Sequence, residues 1–234
     1  MNPQAVEYRI TFDDEHAFNY KIELERAPLS TRQLIPLSDW TNLEHHRCSN
    51  CPLNASEHKT CPAAADLQPV VEDFKGLPAF KKAWVNVRAS EREYSKLANL
   101  EEALRSLLGV IMATSACPIL SRLKPMAHSH LPFASNTEFT LRTISMYVMC
   151  EYFNMREGKE PDWQLHKLTD DFKALQLVNQ ALWHRIHDVC AGDTNLKAFL
   201  SFFSMSSSMT YSLDTQLHKI RSLVMVDSGF AHTE

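Results

Sequence analysis

The sequence predicts an α+β fold that is predominantly α-helical. A small N-terminal β-hairpin, one further strand and a cysteine-rich loop are expected to pack on a bundle of about five helices. Two observations predict this. Runs in which apolar and polar residues alternate are confined to the first 89 residues, and apolar residues spaced three or four apart dominate the rest. The chain therefore divides into residues 1–89 and 90–234, which we expect to form one cooperative domain.

The hairpin is predicted near the start of the chain. Apolar and polar residues alternate in 8–12 and again in 18–24, and the polar run between them is typical of a turn. A third alternating run, residues 83–89, predicts a strand that could pair with the hairpin. An exposed hairpin edge could also support a homodimer.

Helices are predicted from the apolar spacing and from capping motifs. A short helix is expected at 64–75. Ser90 and Glu93 have the spacing of a capping box before a leucine-rich helix, and Ser135 and Glu138 have the same spacing before a second one. The third, fourth and last helices are expected at about 168–190, around residue 200 and from residue 213 onward.

The cysteine-rich loop carries the strongest indication of chemistry. Cys48 and Cys51 have C-x2-C spacing, which lets one turn present both sulfurs to one ion, and Cys61 follows after nine residues. Cys117 is the predicted fourth metal ligand. The alternatives for that position are His45, His46 and His58. A bound metal would explain so long and proline-rich a segment in a compact domain.

Zinc is the first expectation for this site, because four thiolates suit its tetrahedral coordination. A [4Fe–4S] cluster is the alternative, since Cys51, Cys61 and Cys117 are each followed by proline, as some cluster ligands are. The two remaining cysteines, Cys150 and Cys190, lie in apolar helical patterns and are expected to be core residues.

A second set of polar residues lies between two predicted helices, from Thr114 to Cys117 and from Lys124 to His130. His128 and His130, in a segment expected to be extended, would share one face and could act as acid and base. Arg142 could then hold an anion. The alternative is a buried connection between helices that has no chemical role.

Several classes of function are disfavoured. The net charge of −4 gives no footprint for nucleic-acid binding, and five glycines leave no phosphate-binding glycine motif. No signal peptide or membrane-spanning run is predicted, so the cytoplasm is the expected compartment. His184 and His187, three apart beside Asp188, are expected to stabilise a helix C-terminus.

Several motifs together resemble an uncharacterised family of bacterial proteins over nearly the whole chain. They are CxxCPL at 48–53, Cys-Pro at 61–62, MATSACPIL at 112–120 and PMAxxHLPFA at 125–134. The resemblance implies a single-domain cytosolic protein and assigns no activity. It favours His130 over His128, whose position varies in such proteins.

The sequence therefore leaves three hypotheses about function. In the first, Cys48, Cys51, Cys61 and Cys117 hold zinc or an iron–sulfur cluster, and the protein acts as a redox or ligand sensor or as a regulatory module that binds a protein partner. In the second, it is an enzyme whose pocket around His130 takes a small anionic substrate. In the third, it is an interaction module whose thiols bind nothing.

Overall fold

A computed structural model describes residues 5–13, 16–26, 36–89, 91–190 and 213–225 of the chain. The fold is α+β, as predicted, and these residues form four strands and six α-helices. The strands are β1 (Ala5–Thr11), β2 (Ala17–Glu23), β3 (Lys82–Ala89) and β4 (Arg92–Asn99). The helices are α1 (Pro62–Phe74), α2 (Leu100–Ala113), α3 (Lys124–His128), α4 (Asn136–Arg156), α5 (His166–Val189) and α6 (Leu213–Met225).

The strands form one antiparallel sheet in the order β2-β1-β3-β4. Alternation sends Val6, Tyr8 and Ile10 of β1 to the buried face, where Val85 and Val87 of β3 join them. The intervening residues of both strands are exposed or half-buried. The predicted hairpin and third strand are confirmed, and β2 is an edge strand, as the homodimer hypothesis requires.

The strand β4 was not predicted. The capping box expected at Ser90 is wrong, because Glu93 lies within β4 and pairs with Arg88 of β3. Leu97 is on the exposed face of β4, and the leucine-rich helix begins only at Leu100. The half-buried and exposed residues of β4 hide its alternation, since only Ala98 in it is buried.

Two helices cover the buried face of the sheet. Phe74 of α1 contacts Phe18 of β2, with ring centroids 4.6 Å apart. Tyr8 of β1 reaches α2, where its Oη lies 3.0 Å from Ser106 Oγ. The leucines of α2 at positions 100, 104, 107 and 108 are fully buried, so this helix lies at the centre of the core.

The later helices follow the sequence closely. Ser135 caps α4 in a full capping box with Glu138, as predicted. The helices α5 and α6 match the predicted spans, whereas the helix expected around residue 200 lies outside the described residues. No helix in the described ranges has the length and apolar character needed to cross a membrane.

The segment before His130 differs from the expectation. Residues Lys124 to His128 are helical in α3, so the predicted extended segment is wrong. Pro125 supports the helix because proline is tolerated in a first turn. The two histidines therefore do not alternate along a strand, and His128 and His130 lie in different surroundings.

Candidate functional site

The cysteine-rich loop is closed at its base by backbone hydrogen bonds. Leu43 N donates to Lys59 O at 2.8 Å, and Cys61 N donates to Thr41 O at 2.8 Å. An isolated antiparallel bridge joins Asn42 to Thr60 beside them. The base fixes the start of α1 against the segment that leads to Cys48.

A fully buried arginine of α5 holds this base. Arg185 Nη1 donates to Trp40 O at 2.6 Å and Asn42 O at 2.7 Å, and its Nη2 donates to Leu43 O at 2.9 Å. All three acceptors are neutral carbonyls, and Arg185 Nε has no hydrogen-bond partner in the described structure. The side chain thus carries a positive charge into the core without a carboxylate partner among the described residues.

The structure brings the four predicted ligands, Cys48, Cys51, Cys61 and Cys117, into one neighbourhood. A tight turn joins Cys48 and Cys51, with Cys51 N donating to Cys48 O at 3.1 Å. Burial, and to a smaller extent the nearby Cys61, Cys117 and Cys51, raise the pKa of the Cys48 thiol to about 12. Three separate segments of the chain therefore supply the group.

Backbone N–H groups favour the thiolate at two of these cysteines. Cys61 immediately precedes α1 with Pro62 at the first helical position, and the amides of Ala63 and Ala64 lower the pKa of its thiol. The amides of Ile119 and Leu120 do the same for Cys117. In both cases burial is the larger effect and the net pKa is raised. Donors of this kind orient and stabilise metal-bound thiolates.

A positive charge also lies beside the thiols. Arg185 lowers the pKa of both Cys48 and Cys61, because its charge favours the thiolate form. The sulfurs nevertheless stay apart: among the described residues, no three of them have Sγ atoms that all lie within 4.8 Å of one another. The group therefore does not have the compact geometry of a closed tetrahedral zinc site.

The two other cysteines stand outside this group. Cys150 is exposed on α4, which corrects the expectation that it lies in the core. Cys190 is half-buried at the end of α5, where burial raises the pKa of its thiol to about 11. Its charged neighbours are Lys75 and Glu72, and not the other thiols.

His130 and Arg142 line one cavity of about 90 Å³ whose walls are mainly apolar. His130 Nε2 lies 2.6 Å from Tyr8 Oη, and burial lowers the pKa of the imidazole to about 3. Arg142 Nη2 donates to Met126 O at 3.0 Å and to Ser129 O at 2.6 Å, so its guanidinium is already engaged.

The other residues proposed for that pocket point elsewhere. His128 is exposed, and its Nε2 lies 3.7 Å from Glu25 Oε1. Lys124 Nζ donates to Glu25 Oε2 at 2.6 Å. Thr114 is buried at the end of α2, where its Oγ1 donates to Val110 O at 2.8 Å. This hydroxyl is therefore already engaged by a backbone carbonyl of α2.

The structure also joins two histidines with an acid that the sequence separates by more than 140 residues. His45 Nε2 and His46 Nε2 both contact Asp188 Oδ2, at 3.0 and 2.9 Å. The sequence alone places these histidines among the alternatives for the fourth ligand of the cysteine site, and Asp188 near the C-terminus of a helix. No local pattern could reveal their pairing, because it depends on how the loop lies along α5.

A comparison with protein families gives one match. The family model described as Domain of unknown function (DUF6901) matches residues 6–225. No curated protein and no solved structure matches the chain.

Proposed function

The chain belongs to the family described as Domain of unknown function (DUF6901), and we propose that it is a metal-binding protein that acts as a sensor or regulatory module. Cys48, Cys51, Cys61 and Cys117 would hold one metal centre, which fastens the loop to the helices. The observation that carries this proposal is the convergence of four free thiols from three segments beside a buried arginine.

The charge of Arg185 supports an anionic occupant. A buried guanidinium that meets only neutral carbonyls keeps much of its desolvation cost, so a nearby negative group is favourable. Four thiolates around Zn²⁺ or around a [4Fe–4S] core carry net negative charge, which Arg185 would offset. Protonated thiols would leave that charge without compensation.

The spacing of the sulfurs favours the cluster over zinc. Sulfurs at about 2.3 Å from one tetrahedral Zn²⁺ stand about 3.8 Å from each other. In a [4Fe–4S] cluster each thiolate binds a different iron, and the sulfurs stand about 6 Å apart. A group in which the thiols influence one another, yet no three lie within 4.8 Å, fits the wider arrangement better. Zinc remains the alternative.

A regulatory role follows from what the centre would connect. Cys61 precedes α1, Cys117 follows α2, and Cys48 and Cys51 lie on the loop that runs along α5. Loss of the centre would remove the link between these elements and leave the loop to its hydrogen bonds alone. A change of that kind could alter the binding of a protein partner.

The test is anaerobic purification followed by an absorption spectrum and analysis for iron, sulfide and zinc. We expect a broad band at about 400 nm and roughly four irons per chain. The variant Cys51→Ser should lose the centre, whereas Cys190→Ser, outside the group, should keep it. If the wild type instead carries about one zinc per chain and Cys51→Ser loses it, the centre is a zinc site and not a cluster. A folded wild type with neither metal would contradict the proposal.

An enzyme is the second candidate, and the cavity that His130 and Arg142 share is the observation that favours it. Its apolar walls suit a substrate with a ring or short chain attached to one anionic group. Benzoate is a suitable probe for calorimetric titration. Binding that His130→Gln abolishes would support this candidate, and no binding to the wild type would count against it.

A further inference from the structure

We propose that His45, His46 and Asp188 form a second metal site, separate from the cysteines, for a late first-row divalent transition-metal ion such as Zn²⁺ or Ni²⁺. The three ligand atoms all lie within 4.8 Å of one another. Among the described residues, no other group of three or more histidine, cysteine, aspartate or glutamate side chains meets this distance criterion. They are also accessible, since the side chains are 34%, 41% and 41% exposed.

The backbone at this point is shaped to bring two neighbouring rings together. His46 has φ of 45°, a left-handed conformation that residues other than glycine adopt only at a cost. In an extended segment, consecutive side chains point to opposite sides. Here both imidazoles of His45 and His46 reach the same carboxylate oxygen, at 3.0 and 2.9 Å.

Both sides of the site are held in place. The ring of His46 stacks on His184 of α5, with centroids 5.3 Å apart. Farther along the loop, Asn50 Nδ2 donates to Ala174 O of the same helix at 3.0 Å. Arg185 holds the loop base against α5 as well. The ligands therefore come from two elements that are already fixed against each other, which lowers the cost of binding an ion.

The two nitrogen–oxygen distances need only a small change to accept an ion. Ligand atoms at about 2.0–2.1 Å from a tetrahedral ion stand about 3.3 Å apart. Exposed side chains can open by a few tenths of an ångström without disturbing the core. Each ring would then present the lone pair of Nε2 to the ion and carry its proton on Nδ1, and water would complete the coordination.

The chemistry of the donors selects the ion. Two imidazole nitrogens and one carboxylate suit Zn²⁺, Ni²⁺ or Cu²⁺, whereas Mg²⁺ and Ca²⁺ prefer oxygen ligands throughout. The closeness of both Nε2 atoms to one carboxylate oxygen also makes the site more than a single ion pair. A bound ion would fasten the loop to α5 near its C-terminus.

The test is a titration of the untagged protein with Ni²⁺, followed by tryptophan fluorescence. Trp183 contacts His184 at 4.6 Å between ring centroids and so lies close enough to report binding. We expect saturable quenching at one ion per chain. Asp188→Asn and His46→Gln should weaken it by more than about tenfold. His58→Gln, an exposed histidine of the same loop outside the cluster, should leave it unchanged.

A second measurement separates this site from the cysteine centre. Asp188→Asn should lose most of the quenching and still keep the metal that the cysteines are proposed to hold. The proposal is overturned if Asp188→Asn binds Ni²⁺ as the wild type does, or if the wild type shows no saturable response. Circular dichroism of each variant checks that the fold is retained.

Discussion

Replacing Arg185 with methionine should destabilise the protein strongly. The substitution keeps the aliphatic stem but removes the guanidinium that donates to Trp40 O, Asn42 O and Leu43 O. Hydrogen bonds from a charged donor contribute about 1.5–3 kcal/mol each, and buried acceptors left without partners add a desolvation cost. The charge itself is costly to bury, and its removal offsets part of the loss.

We therefore expect the free energy of unfolding to fall by about 3–5 kcal/mol, because three hydrogen bonds of about 1.5–3 kcal/mol each are lost and the removal of a buried charge offsets part of that loss. Such a loss is a large part of the stability of an ordinary domain. Arg185→Lys should lie between the wild type and Arg185→Met, because one ammonium group cannot reach all three carbonyls.

Urea unfolding followed by circular dichroism measures this effect. Arg122→Met is the matched control, since Arg122 forms an exposed ion pair with Asp171 and its loss should cost less than about 1 kcal/mol. Metal content should also fall in Arg185→Met, because the charge beside Cys48 and Cys61 is gone. A loss of stability no larger than that of the control would refute the reasoning.

Three further predictions concern stability. The lowered pKa of His130 means that the unfolded chain binds the proton first, so stability should fall by up to about 1.4 kcal/mol per pH unit from about pH 6.5 to about pH 3. Urea titrations should show that His130→Gln lacks this contribution and His58→Gln keeps it. Tyr8→Phe should cost about 1–3 kcal/mol, because His130 Nε2 loses a partner 2.6 Å away; an unchanged urea midpoint would contradict this. Ser135→Ala should lower the thermal midpoint through a loss of about 1 kcal/mol, because the cap to Glu138 N disappears.

The sequence predicts those elements whose pattern is local. Alternation identifies β1, β2 and β3, because in each strand the residues of one face are more buried than those of the other. The Ser135 cap is likewise local, since its partner is three residues away. The strand β4 escapes prediction because its pairing with β3, and not its own burial, makes it a strand.

The candidate sites likewise include one part that local spacing predicts and another part that depends on tertiary packing. The spacing of Cys48, Cys51 and Cys61 marks a candidate metal loop, and the structure brings Cys117 to it from the end of α2. The contact of His45 and His46 with Asp188 joins residues 143 and 142 positions apart. It depends on tertiary packing alone and could not be predicted from spacing.

The metal content of Cys117→Ser, compared with that of Cys150→Ser, tests the central claim most directly. Cys117 is 56 residues from Cys61 and belongs to the centre only if the two segments meet as described. Cys150 is exposed on α4. We expect that anaerobically purified Cys150→Ser keeps the wild-type iron and sulfide and that Cys117→Ser loses most of both. A Cys117→Ser variant that retains as much metal as Cys150→Ser would contradict it.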